Sequence, residues 1–159
     1  MITAEEVWQT LEQVKDPEIP VVSVVEMGII QGVEVGEDRV VVTMTPTFAG
    51  CPAIELMREN ICEQLAALGV PNVTVSVALH PAWTSDRITE SGREKLKTIG
   101  LAPPARHGGF IELDLLETVH CPFCGSANTS RENPFGPTLC RALYYCNDCQ
   151  QPFEKFKAL

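Results

Sequence analysis

The sequence predicts an α/β protein in two parts. A small α-β-β-α-β-α sandwich is expected over residues 1–102 and a short, cysteine-rich β domain over 117–159, with a linker over 103–116 between them. Three observations carry that reading. Apolar residues recur with helical spacing in three stretches and with strand character in three others, interleaved along the first hundred residues. Five of the seven cysteines fall in the last 39 residues. Between the two patterns, Ala102-Pro103-Pro104-Ala105 followed by Gly108-Gly109 makes a stiff step and then a flexible one.

The elements follow in order. Thr3-Ala4-Glu5-Glu6 has the form of a capping box, in which a hydroxyl and a carboxylate three residues apart satisfy each other's backbone N–H groups. Val7, Trp8, Leu11 and Val14 then recur at helical spacing until Asp16-Pro17 breaks the pattern. Met27 to Val35 and Arg39 to Thr45 are rich in β-branched residues and are joined across Gly36-Glu37-Asp38, which predicts a hairpin. Pro52, whose fixed φ and missing N–H suit the first helical position, opens a second helix. Its Ile54, Met57, Ile61, Leu65 and Leu68 form one apolar stripe, closed by Gly69 and Pro71. Asn72 to Leu79 alternates as a third strand, and Thr89 to Ile99 reads as a last helix weakened by Gly92. Helices on one face of a mixed sheet satisfy these elements. In the second part, Leu143 to Cys146 and Phe153 to Phe156 alternate as short strands.

Composition narrows the function classes. A chain of 159 residues and 17.4 kDa holds one good-sized domain or two small ones, which excludes a large multidomain enzyme. With 45% hydrophobic and 21% charged residues it can bury a core, so disorder is excluded as well. The net charge of −9 repels phosphate backbones and anionic lipid, and the expectation is no nucleic-acid and no membrane partner. The acidity belongs to the first part: residues 1–105 carry a net −8 and residues 106–159 a net −1. No apolar run approaches a membrane span, and Met1-Ile2-Thr3-Ala4-Glu5-Glu6 is acidic where a signal peptide is basic and then apolar. A cytoplasmic location is therefore expected, where clustered cysteines serve as metal ligands or reactive thiols rather than disulfides.

Cys121-Pro122-Phe123-Cys124 and Cys146-Asn147-Asp148-Cys149 are two Cys-x-x-Cys pairs with twenty-one residues between the inner cysteines. Each pair closes a tight turn that points two thiolates at one ion, and two such turns complete a tetrahedral site. The pattern predicts a zinc ribbon with Cys121, Cys124, Cys146 and Cys149 as ligands of a structural zinc. An iron–sulfur cluster on the same four ligands is the rival occupant. About 40 residues cannot hold together by apolar burial alone, and a metal offsets that deficit. Cys140 is a fifth thiol nearby, either an extra ligand or a small hydrophobe in the core. Glu117-x-x-His120 has the form of half a di-iron motif, but there is no second copy, so coincidence is the reading.

In the first part the informative stretch is Thr43 to Pro52, where a strand ends, a polar loop follows, and Cys51 stands at or beside the N-cap of the second helix. Unpaired N–H groups and the helix dipole favour a thiolate there, which makes Cys51 a candidate metal ligand or nucleophile; a buried space-filling cysteine is the alternative. His80 is the nearest general base for a thiol enzyme. Cys62, one residue off the apolar stripe, reads as core. Asp16-Pro17-Glu18-Ile19-Pro20 puts two carboxylates in a proline-stiffened turn, either solvated or facing a metal or partner, and Trp83 with Thr84, Ser85 and Asp86 reads as another exposed loop.

Asp16-Pro17-Glu18-Ile19-Pro20, Glu26-Met27-Gly28-Ile29-Ile30, Thr45-Pro46-Thr47 and Gly50-Cys51-Pro52 together resemble the small iron–sulfur cluster assembly domain of cytosolic and bacterial cluster-targeting factors. Further segments resemble the PaaD (also PaaJ) family of phenylacetate degradation over nearly the whole chain. These are Pro81-Ala82-Trp83-Thr84, Gly92 to Leu96, Gly100 to Pro104, and Phe135 to Tyr144 ahead of the last cysteine pair. The chain departs from that pattern at three positions: His80, Ser85 and Arg87 stand where it has Asp, Thr and Trp. The resemblance implies a non-enzymatic maturation factor that assists iron–sulfur or di-iron centre assembly in the multicomponent phenylacetyl-CoA epoxidase. Its client would be the di-iron oxygenase or the iron–sulfur reductase component. It implies Cys51 as the ligand of transient iron or of a cluster, and Asp16 and Glu18 as an acidic loop. One exposed thiol per subunit suggests a cluster shared across a homodimer. A structural or regulatory subunit of the same oxygenase is the alternative.

Overall fold

The structure, a computed structural model, describes residues 1–109 and 117–159. By internal contacts the chain divides into two compact units, Met1–Trp83 with Arg87–Gly92, and Thr84–Asp86 with Arg93–Leu159.

In the first unit, helix α1 (Ala4–Leu11) opens on the expected capping box: Glu6 N–H donates to Thr3 Oγ1 at 3.2 Å and Thr3 N–H to Glu6 Oε2 at 2.8 Å. Val7 and Leu11 are fully buried. Val14 is buried too, but beyond the helix, in a turn closed by Val14 N–H to Leu11 O at 3.1 Å. Strands β1 (Ile30–Val35) and β2 (Arg39–Met44) form the predicted antiparallel hairpin. The first strand begins three residues later than the sequence suggests. The cause is Gly28, whose φ of +67° turns the chain out of extended geometry, although Met27 and Ile29 stay buried.

Helix α2 (Ile54–Ala67) has Ala53 as its N-cap, so Pro52 lies in the preceding turn rather than at the first helical position. Met57, Ile61 and Leu65 are its buried stripe. Leu68, expected to continue the stripe, is 37% exposed; Gly69 turns the chain at φ +96° and Val70 is buried instead. Strand β3 (Asn72–Val77) pairs in parallel with β2, giving a mixed sheet of order β1-β2-β3. Helix α1 packs on α2 and β1, and α2 on β3. The indole of Trp83, expected in an exposed loop, is buried and donates to the Met27 carbonyl at 2.8 Å. The last helix, α3 (Glu90–Thr98), begins in the first unit and ends in the second.

The second unit is a four-stranded sheet of order β4-β7-β6-β5, from β4 (Leu101–Ala102), β5 (Thr129–Asn133), β6 (Arg141–Cys146) and β7 (Pro152–Phe156). Its core is Ala102, Val119, Cys121, Ala142, Tyr144, Cys146 and Phe153, with the Tyr144 and Phe153 rings stacked at 5.7 Å. Through β4, which pairs with β7, this unit reaches back before the proline step. Of the expected linker 103–116, residues 110–116 lie outside the described residues, and Pro104 is buried. The Pro104 carbonyl accepts from the buried Arg93 guanidinium, which also donates to Ser85 O at 2.8 Å. Among the described residues no helix is long and apolar enough to cross a membrane.

A Cβ placed on Gly28 would lie 2.5 Å from both Arg87 Cβ and the Arg87 carbonyl oxygen. Gly28→Ala is therefore expected to lower unfolding free energy by about 2 kcal/mol or more, read by urea titration of the zinc-loaded protein.

Candidate functional site

Each Cys-x-x-Cys pair is folded by the same two backbone bonds. In the first, Gly125 N–H donates to Cys121 O at 2.9 Å and Cys121 N–H to Ser126 O at 2.9 Å; in the second, Gln150 N–H donates to Cys146 O at 3.0 Å and Cys146 N–H to Gln151 O at 3.0 Å. The residue after the second cysteine takes a positive φ in both, +77° at Gly125 and 59° at Gln150. The two knuckles are thus matching turns, one built with glycine and the other forced onto a glutamine.

Their sulfurs converge. Cys121 Sγ lies 3.7 Å from Cys149 Sγ and Cys124 Sγ 3.6 Å from Cys146 Sγ, and all four fall within 4.8 Å of one another. Zinc–thiolate bonds of about 2.3 Å arranged as a tetrahedron require sulfur–sulfur edges of about 3.8 Å. The observed pairs meet that requirement and are far too long for disulfides. The Cys149 N–H, then the Asp148 N–H, aimed at Cys146 bring its thiol down to about 7, whereas burial first and neighbouring thiols next push Cys149 up to about 12. Four thiolates at one point need a compensating dication. The four cysteines fit a structural zinc, with all four positions taken by sulfur.

Cys140 and the Glu117-x-x-His120 pair do not join them. Cys140 is buried at the start of β6, its sulfur 3.1 Å from Thr138 Oγ1, and lies outside the four-sulfur group. His120 is exposed with Nδ1 3.2 Å from Gly125 O, while Glu117 pairs with the buried Lys155 ammonium and accepts from Ala105 N–H at 3.3 Å. The Glu117-x-x-His120 spacing is therefore a coincidence, as read.

In the first unit, Cys51 is half-buried in the loop between β2 and α2, two residues before the N-cap. Its N–H donates to Phe48 O at 3.2 Å, and its own carbonyl receives Ile54 N–H at 3.4 Å, a turn that delivers the chain into the helix. The thiol is not sealed in the core, and Cys62 on α2 is half-buried as well. Asp16 is buried, and its Oδ1 accepts from Glu18 N–H at 2.8 Å and Ile19 N–H at 3.1 Å, so its first task is to hold its own turn. The Glu18 side chain is exposed, as is His80 beyond β3. Sequence reasoning missed Gln31 and Thr45, whose side chains bond at the mouth of the Cys51 loop. Gln31 Nε2 also donates to Pro81 O at 3.1 Å, and Thr45 N–H to Ile29 O at 2.8 Å.

Comparison with known proteins accounts for both units. Residues 4–77 match the family described as iron-sulfur cluster assembly protein, and residues 110–157 match the PaaD zinc beta ribbon domain. A protein of Escherichia coli K12, named as a putative subunit of 1,2-phenylacetyl-CoA epoxidase, is 40% identical over 97% of this chain and 92% of its own length. The chain belongs to the PaaD family. Over its first unit this PaaD-family chain is also 36% identical to an Fe-S protein maturation auxiliary factor of Porphyromonas gingivalis, across 59% of the chain and 90% of that relative. Its fold resembles a crystal structure of a domain of unknown function from Bacillus anthracis, with a TM-score of 0.55 and 28% identity over 58% of this chain and 89% of that one. A conserved hypothetical protein from Thermotoga maritima is similar at a TM-score of 0.52 and 31% identity, over 60% of this chain and 94% of that one.

Because every ligand must lose its proton to bind, zinc is expected to leave as pH falls, and the loss to follow total proton uptake by the thiolates. A chromophoric chelator titrated from neutral to acidic pH reads this directly. Cys146→Ser is expected to reduce bound zinc from one per chain to below about a tenth, with loss of the β signal of the second unit, checked by metal analysis and circular dichroism.

Proposed function

We propose that the protein is a non-enzymatic maturation factor that assists assembly of an iron–sulfur or di-iron centre in the phenylacetyl-CoA epoxidase. Cys51 is the sulfur that takes transient iron or a cluster as cargo. The observation that carries this reading is the placement of Cys51, half-exposed in a loop at the helix mouth and outside the sulfur quartet. A carrier needs few and accessible ligands, because a fully ligated metal is not handed on. The quartet has the opposite character, so the zinc folds the second unit and takes no part in transfer.

Support comes from the relatives: the first unit matches the iron–sulfur assembly family, and two relatives carry the name of Fe-S protein maturation auxiliary factor. The epoxidase as client is suggested by the name of the Escherichia coli relative. In this reading the 1–102 module carries the cargo and the 117–159 ribbon is the second module, joined through 103–116. Asp16 keeps its turn in shape, Glu18 presents a carboxylate to the partner, and a second copy supplies the remaining thiolate ligands of a shared cluster. The client is the di-iron oxygenase or the iron–sulfur reductase, met in the cytoplasm. Cys140, packed against Thr138, contributes to the ribbon rather than to transfer.

One observation favours a second reading. The Escherichia coli relative is named as a component of the epoxidase itself, which fits a structural or regulatory role within the oxygenase. Co-purification at fixed stoichiometry with active oxygenase supports that reading, and dispensability after the client has matured opposes it.

Anaerobic reconstitution with iron and sulfide is expected to give a visible charge-transfer spectrum that Cys51→Ala loses by about tenfold, together with client activation, while bound zinc stays at one per chain. An unchanged spectrum and unchanged activation in Cys51→Ala remove Cys51 from the mechanism.

A further inference from the structure

The two zinc knuckles are tied to each other by side chains as well as by sulfur. Asp148 sits between the two ligands of the second knuckle. Its Oδ1 accepts from Asn128 Nδ2 at 2.7 Å, and its Oδ2 from the Ser126 hydroxyl. Ser126 follows the first knuckle directly, and its carbonyl is the acceptor for Cys121 N–H at 2.9 Å. The Ser126 hydroxyl in turn accepts from Asn128 N–H at 3.0 Å. Beside Asp148, Asn147 N–H donates to Asn128 O at 2.9 Å and Asn147 Nδ2 to Asn128 Oδ1 at 3.1 Å. A continuous path of hydrogen bonds thus runs from a ligand of one knuckle, through Ser126 and Asn128, into the span between the two ligands of the other.

We propose that Asp148 is a positioning residue, a latch that holds the second knuckle in register with the first and thereby sets how slowly zinc is released. Zinc leaves a four-thiolate site one ligand at a time, and a knuckle that swings away after the first sulfur lets go cannot rebind. The latch keeps the departing sulfur within reach, so that rebinding outruns escape. Charge is not the reason for an aspartate here. A site of four thiolates and one zinc is already net negative, and a further carboxylate opposes it. What the side chain supplies is two acceptor oxygens for two donors on the opposite arm. Ser126, Asn128 and Asn147 have no other evident assignment, and Asp148 lies where its fixed side chain also fixes the peptide that faces Cys146. The inference concerns the zinc quartet alone and stands whether or not Cys51 carries cargo.

The test uses the full chain loaded with zinc, with transfer to a chromophoric chelator at neutral pH as the readout. Cobalt-substituted protein is scanned for its tetrahedral thiolate absorption. Asp148→Ala is expected to speed release by about tenfold or more, the usual range for losing a partner behind the ligands, with the cobalt spectrum retained. Asp148→Asn keeps one acceptor and lets the Ser126 hydroxyl accept in return, so its release rate is expected within about threefold of the native protein. Ser126→Ala is expected between the two, and adding it to Asp148→Ala is expected to accelerate release no further, because both cut the same path. A native release rate in Asp148→Ala overturns the proposal. So does Asp148→Asn releasing as fast as Asp148→Ala, which would make charge the active property, and so does full additivity of the two cuts. Should Asp148→Ala fail to fold, Ser126→Ala and Asn128→Ala decide: faster release in either supports the latch, and native rates in both overturn it.

Discussion

Four sulfurs brought within 4.8 Å of one another are the constraint on which the second unit depends. Its buried core is small, and two of the seven residues that form it, Cys121 and Cys146, are themselves ligands. Metal coordination and core packing are therefore one interaction there. The strands that flank the knuckles inherit their order from it. β6 runs into Cys146, β7 leaves after Cys149, and β5 begins just past the arm that follows Cys124. Without the ion, the sheet has only that small core to rest on.

The first unit solves the same problem by ordinary means. Val7, Leu11, Met27, Met44, Met57, Ile61 and Leu65 fill an apolar interior between two helices and a mixed sheet. That leaves its loops available for other work. Asp16 spends its carboxylate on its own backbone, and Thr45 and Gln31 bond to each other at the end of β2, so the chain enters the Cys51 loop from a fixed point. Cys51 sits half-buried in that loop.

Much of this was legible in the residues. The capping box at Thr3, the hairpin across Gly36, the stripe on α2 and the cysteine spacing each rest on local rules, and the structure follows them. What escaped depends on distant partners. Gly28 delays the start of β1 because the chain around Arg87 packs against it, a contact fifty-nine positions away that no window reveals. Trp83 reads as a loop residue among polar neighbours until Met27 offers its carbonyl. β4 is two residues long and exists through its pairing with β7, and the polar β5 is a strand through its register with β6. At the candidate sites, residue type and spacing located the four sulfurs that the structure brings together. Ser126, Asn128 and Asp148 carry no motif of their own, because their meaning lies in a meeting between two turns.

The pairing of Lys155 with Glu117 carries a consequence for how this fold can change over time. The ammonium is 3% exposed and its carboxylate 14%. Stripping such a charge of its counterpart costs about 3–5 kcal/mol, more than a small unit can spare, whereas exchanging both for apolar residues of similar bulk is often neutral. Neither position can drift by itself. Any lineage that alters one must pass through a poorly folded intermediate or alter both together, so the two act as a single inherited character despite standing thirty-eight residues apart.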